Sequence, residues 1–127
     1  MDKKAENYAI RSRYYLRNAS KFIDADNTEK ASEFLWGSMA QAIKALAASK
    51  GIHLKTHNQI RQYVNSITKE LGDKSIYDTF IKANFLHVNF YESELNMEDV
   101  RLIAEDIRIG VEKLLDLVNT VESTKHE

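Results

Sequence analysis

The stretch Phe34–Ala48, FLWGSMAQAIKALAA, constrains the fold more than any other part of this chain. Wound as a helix at about 100° per residue, Ala31, Phe34, Leu35, Ser38, Met39, Ala42, Ile43, Ala45 and Leu46 cover half of the wheel, and Trp36, Ala40 and Ala47 widen that coverage. A surface helix carries an apolar stripe; one that is apolar nearly all round is wrapped by its neighbours. What remains polar is a narrow strip of Glu33, Gly37, Gln41 and Lys44. That strip is either the one side shown to water or the wall of a groove.

The rest of the chain agrees with a helical surround. It has 127 residues with Pro 0 and Gly 4, a composition that favours long helices and brief connections. A chain of this size builds one substantial core, so residues 1–127 are expected to form a single helical domain. At 43% hydrophobic and 29% charged it is neither disordered nor a membrane span. Its formal net charge of -1 gives no general attraction to nucleic acid or acidic lipid, so only a local basic patch could act that way. Cys 0 excludes a disulfide scaffold and thiol chemistry. The opening MDKKAENYAI lacks the apolar run of a secretion signal, which makes a cytoplasmic setting the default expectation.

Periodicity predicts an antiparallel bundle of about five helices. The first runs from about Lys4 to Ile23, with Ala5, Tyr8, Ala9, Ser12, Leu16, Ala19, Phe22 and Ile23 on one stripe and Arg11, Arg13, Arg17 and Lys21 around its exposed sides. That basic set reads as a solvated face before it reads as a phosphate footprint. Asn27 or Thr28 can cap the second helix, which ends at Gly51. The third starts near Thr56 and sets Ile60, Val64, Ile67 and Leu71 on one face with Tyr63 beside them; the fourth starts near Ile76 with Ile76, Phe80, Ala83, His87 and Phe90 on one face. Asn96 followed by Asp99 caps the fifth, about Met97 to Val121, with a tail from Glu122 to Glu127 expected to fray. Leu102 and Ile109 point away from that helix's core stripe, one above the other. Such a second apolar face suggests a twofold homodimer, and both residues are candidate interface positions.

Chemistry-bearing motifs are few. His53 and His57 stand four apart without further ligands, too little for a metal site. Four scattered glycines cannot form a phosphate loop. No cofactor is indicated. The segment Leu86–Glu92, LHVNFYE, is denser in function-capable groups: His87, Asn89, Tyr91 and Glu92 can all exchange hydrogen bonds with a ligand. His87 also shares a face with Ile76, Phe80 and Ala83, where a satisfied structural histidine is the commoner outcome. Trp36 can stack on a base, or simply wedge beside Gly37 where a neighbouring helix approaches. Gln41 and Lys44 need partners if their side of the helix is covered.

Trp36-Gly37 followed by QAIKALA (Gln41–Ala47), together with ANFLHVNFYE (Ala83–Glu92), resembles the PaREP family of small archaeal helical proteins. That family is itself similar to a branch of the HEPN superfamily. The resemblance implies a HEPN-like bundle, commonly dimeric, among relatives that bind nucleotides, cleave RNA or pair with small nucleotidyltransferases. HEPN ribonucleases place a histidine about four to six residues after an arginine, where it serves acid–base chemistry. No arginine precedes His53, His57, His87 or His126 at that distance, so ribonuclease activity and a catalytic set do not carry over. The leading expectation is a non-catalytic homodimeric binding module. Two alternatives stand beside it. One is a nucleotide- or RNA-binding protein using Trp36, Lys44, His87 and Tyr91 around a groove, within a wider set of candidate ligand-binding residues that adds Gln41, Asn89 and Glu92; the other is an enzyme with an unfamiliar site around His87.

Overall fold

The computed structural model describes residues 2–89 and 95–125. Five helices run through them: α1 (Lys3–Asp24), α2 (Thr28–Ser49), α3 (His57–Leu71), α4 (Ser75–Asn89) and α5 (Met97–Thr124). Among the described residues there is no strand, and no helix is long and apolar enough to cross a membrane.

Local chemistry sets the ends. Asn27 accepts from the Lys30 N–H at 3.1 Å and Asn96 from the Asp99 N–H at 2.9 Å, each satisfying an amide that has no partner inside its helix. α3 begins with a full capping box: Thr56 accepts from Gln59 N–H while the Gln59 side chain accepts from the Thr56 N–H, both at 3.1 Å. α2 closes in a Schellman turn, with Ile52 N–H on Ala47 O at 2.9 Å and Gly51 N–H on Ala48 O at 3.0 Å. The same turn ends α1, but there Asp26 takes the left-handed position at φ 55, a conformation glycine would adopt at lower cost.

α2 is the hub. It packs against all four other helices, and 13 of its 22 residues are buried. Met39, Ile43 and Leu46 are sealed, whereas Phe34 is half-buried against α1, stacked on Phe22 and edge-on to Tyr15.

The α1–α2 seam is built from small residues. Ala5, Ala9, Ser12 and Ala19 on α1 face Ala31, Leu35, Ser38, Ala42, Ala45 and Ser49 on α2, all buried. Both rows follow a four-and-three spacing, the geometry that lets two helices lie along one another. At the crossing, Ser12 Oγ donates to Ser38 O and Ser38 Oγ donates to Ser12 O, each at 2.8 Å. Each hydroxyl thereby escapes the cost of a buried unpaired donor. Gly37 sits under Tyr15, where a Cβ would come within 3.0 Å of the ring. The glycine is there for that approach.

α5 crosses α2 and α4 with Val100, Ile107, Val111, Leu114 and Val118 inward. Gly110 admits Thr79 of α4, which a Cβ would meet at 2.8 Å. At the α3–α4 turn Lys113 ion-pairs with Asp73 and donates to Ser75 Oγ at 2.9 Å. That cation and the Ser75 amide hold the Asp73 carboxyl down at about 2. α5 also continues past its expected end. Glu122 is buried, accepts from the Asp2 N–H at 3.4 Å and reaches Lys125 Nζ at 3.4 Å, so the helix runs on through Thr124 where a frayed tail was expected.

Candidate functional site

A histidine–tryptophan junction forms where α2, α3 and α4 meet. α2 ends at Ser49, yet His57 at the first position of α3 lies beside Trp36, more than two turns back along the hub. Residues 50–56 therefore run back along α2, and α3 then travels in the direction of α2 until Glu70 reaches Lys50 at 3.7 Å. α4 returns and sets His87 on Trp36, the rings 4.7 Å apart and 20° from parallel. His57 lies 5.1 Å from Trp36 and 5.9 Å from His87. Phe80, fully buried, closes the floor.

Burial, then the neighbouring His87 and Arg61, lowers the His57 pKa below its ordinary 6.5. Its neutral form persists further toward acid, and a neutral imidazole can both donate and accept a proton. Along α3, Ile60, Val64 and Ile67 are buried, while Leu71 at the helix end, expected on the same face, is exposed; burial followed by the charge of Glu70 raises the Tyr63 phenol to about 12. The Tyr63 hydroxyl and Asn84 Oδ1 are buried without a hydrogen-bond partner among the described residues.

The residues singled out in the sequence divide among several places. Trp36 and His87 come together, with His87 half-buried rather than sealed. Gln41 lies on the flank facing α1, where Arg11 Nη1 donates to it at 3.4 Å. Lys44 is half-buried and makes no ion pair among the described residues; in particular it does not meet Glu33. Asn89 donates back to Phe85 O at 2.8 Å and borders a cleft of about 420 Å³ at the α1–α2 turn, beside Asp26, Asn27 and Leu95. Phe90, Tyr91 and Glu92 lie outside the described residues. No group of three or more His, Cys, Asp or Glu side chains that could hold a metal gathers among the described residues.

The second face of α5 is exposed. Leu102 is 67% and Ile109 52% accessible. Sequence reasoning missed their neighbours on α4: Phe85 and Val88, 47% and 60% accessible, with Ile81 one turn before Phe85. The spacing of Ile81, Phe85 and Val88 was the available signal. Phe85, Leu102 and Ile103 line a cleft of about 460 Å³ between the two helices, rimmed by Lys82, Asp99 and Asp106. His57, weighed in the sequence only as a metal ligand with His53, belongs instead with Trp36 and His87; Thr56 and Gln59 announce the helix start that positions it.

These features define an all-α bundle with a buried central helix, a ring-lined junction on one side and an unpartnered apolar face on another. The chain belongs to the archaeal PaREP1/PaREP8 family, whose model matches residues 7–111. A crystal structure of a protein from Sulfolobus solfataricus has the same fold, with TM-score 0.76 and 20% identity over 85% of this chain and 96% of that one. No curated protein matches the chain.

Proposed function

We propose that this protein is a non-catalytic binding module that works as a homodimer in the cytoplasm, joined through the α4–α5 face. The carrying observation is the run of exposed Phe85, Val88, Leu102 and Ile109 around the Lys82–Asp106 ion pair, whose atoms lie 2.6 Å apart. Monomers seldom leave so many large apolar groups together in water. A patch that combines apolar groups with both signs of charge can complement itself, as a twofold interface must. A HEPN-like ancestry fits this reading, since such bundles commonly pair, and a small nucleotidyltransferase is then a candidate further partner. Sedimentation equilibrium tests the pairing. The native chain is expected at twice its 14.6 kDa mass, and Leu102→Glu at the single mass with unchanged helicity. A native chain that stays monomeric rejects the dimer.

The His57–His87 pair favours a second reading, acid–base chemistry on a ligand reaching Trp36. Turnover of a phosphodiester substrate that disappears in both His57→Gln and His87→Gln would support it. The nucleotide-binding reading has less behind it, because Trp36 already carries the rings of His57, Phe80 and His87.

A further inference from the structure

α1 closes tightly on α2 but only loosely on α5, and a groove remains between them. It consists of two adjoining clefts of about 370 and 150 Å³ that share Leu16, Ser20 and Arg108. The floor is apolar: half-buried Leu16 in the larger cleft, over the buried Val111 and Leu115, and half-buried Ile23 and Ala104 in the smaller, over the buried Ala19. From Arg13 to Ile23 the groove follows α1 for about 15 Å, close to three turns of a docked helix.

The charges on its two lips differ. Arg108 on the α5 side is neutralised by Glu105 at 2.6 Å and Glu112 at 2.8 Å. Arg13 and Arg17 on the α1 side, one turn apart and exposed, make no ion pair among the described residues. Glu112 and Asp116 stand across from them on α5. A polyphosphate strand would meet repulsion on that second lip, and its bases would find no aromatic ring in either cleft lining. A helix can satisfy both lips, because its two flanks can differ in charge while its stripe covers the floor.

We propose that the α1–α5 groove receives an amphipathic helix of a partner protein, with its apolar stripe on Leu16, Ile23 and Ala104 and an acidic flank against Arg13 and Arg17. This inference rests on the binding-module reading but not on the dimer: around α5, the groove lining and the Leu102–Ile109 face are roughly a third of a turn apart. A second copy is a poorer occupant. If it offered its Leu102 face to this groove, the contact would be head-to-tail and would not close.

The test uses labelled helical peptides of about four turns, with leucines spaced for one stripe and either glutamate or lysine along one flank. Binding is read by fluorescence anisotropy. The glutamate peptide is expected to bind the native chain and the lysine peptide not to. The double variant Arg13→Glu/Arg17→Glu should weaken binding about tenfold, and Ser20→Trp, which fills the groove from an exposed position, should abolish it. Both variants should keep the native thermal midpoint and mass. Leu102→Glu should leave peptide binding intact even where it splits the dimer, so failure of the dimer and failure of the groove give different results. Equal binding of both peptides, or of neither, overturns the proposal. So does a loss of dimer mass in the arginine variant, which would put a second copy in the groove, or tighter arginine-dependent binding of oligouridylate than of the peptide.

Discussion

The two sides of α2 are built on opposite terms. Toward α1 it presents mainly alanines and serines, with Leu35 among them and Phe34 at one end, and the helices approach closely enough for Ser12 and Ser38 to satisfy each other's carbonyls. Toward α3 and α4 it presents Trp36, which gathers His57, His87 and Phe80 into a cluster of large rings. Near that side the Tyr63 hydroxyl and Asn84 Oδ1 remain unpaired among the described residues. The first side spends its residue types on fit, the second on groups that can titrate and bond. Close packing and titratable chemistry are thus divided between the two faces of one helix.

That contrast can be broken most severely by enlarging the seam. Ala42 is fully buried against α1, so Ala42→Leu should lower the unfolding free energy by about 3 kcal/mol in a denaturant titration. A loss below about 1 kcal/mol would mean that the seam yields and is not closely packed. Next comes the serine exchange. Ser38→Ala removes the bond to Ser12 O and leaves that carbonyl without the hydroxyl it accepts from, at an expected cost of about 1 kcal/mol by the same titration. A neutral or stabilising result would show that the hydroxyls are tolerated rather than used.

The smallest effect belongs to the ring cluster. Because His57 has a lower pKa folded than its ordinary 6.5, the unfolded chain takes up the proton first as pH falls. Stability is therefore complete above about pH 6.5 and declines as the pH drops below it toward the folded value. Its solvent exposure keeps this effect small. Denaturation midpoints followed from pH 7.5 to 5 should fall further for the native chain than for His57→Gln if the histidine is responsible. Parallel curves would assign the slope elsewhere.

Much of the scaffold was legible in the residues. The all-round apolar pattern of Phe34–Ala48 marked the hub, Asn27 and Asn96 marked helix starts, Gly51 marked a stop, and Leu102 with Ile109 marked a face left in water. These are local signals with a helical period. The junction was legible only in part, since periodicity does not say where a connection travels. Trp36 and His87 could be nominated by type; that residues 50–56 return along α2 and bring His57 to them depends on tertiary packing. Gln41 shares a helix with Trp36, yet their side chains stand far enough apart round the axis to serve different neighbours. A helix puts chemically similar candidates close in sequence and then points them apart.

The proposal that two copies meet on the α4–α5 face has a direct spectroscopic test, because the chain has no cysteine. A single cysteine replacing exposed Glu105, carrying a nitroxide, reports the distance between copies by pulsed dipolar spectroscopy; the same label replacing exposed Asn7 on α1 is the control. The account predicts a short, narrow distance distribution at position 105 and a longer one at position 7. No dipolar coupling at 105, or a shorter distance at 7, would contradict it.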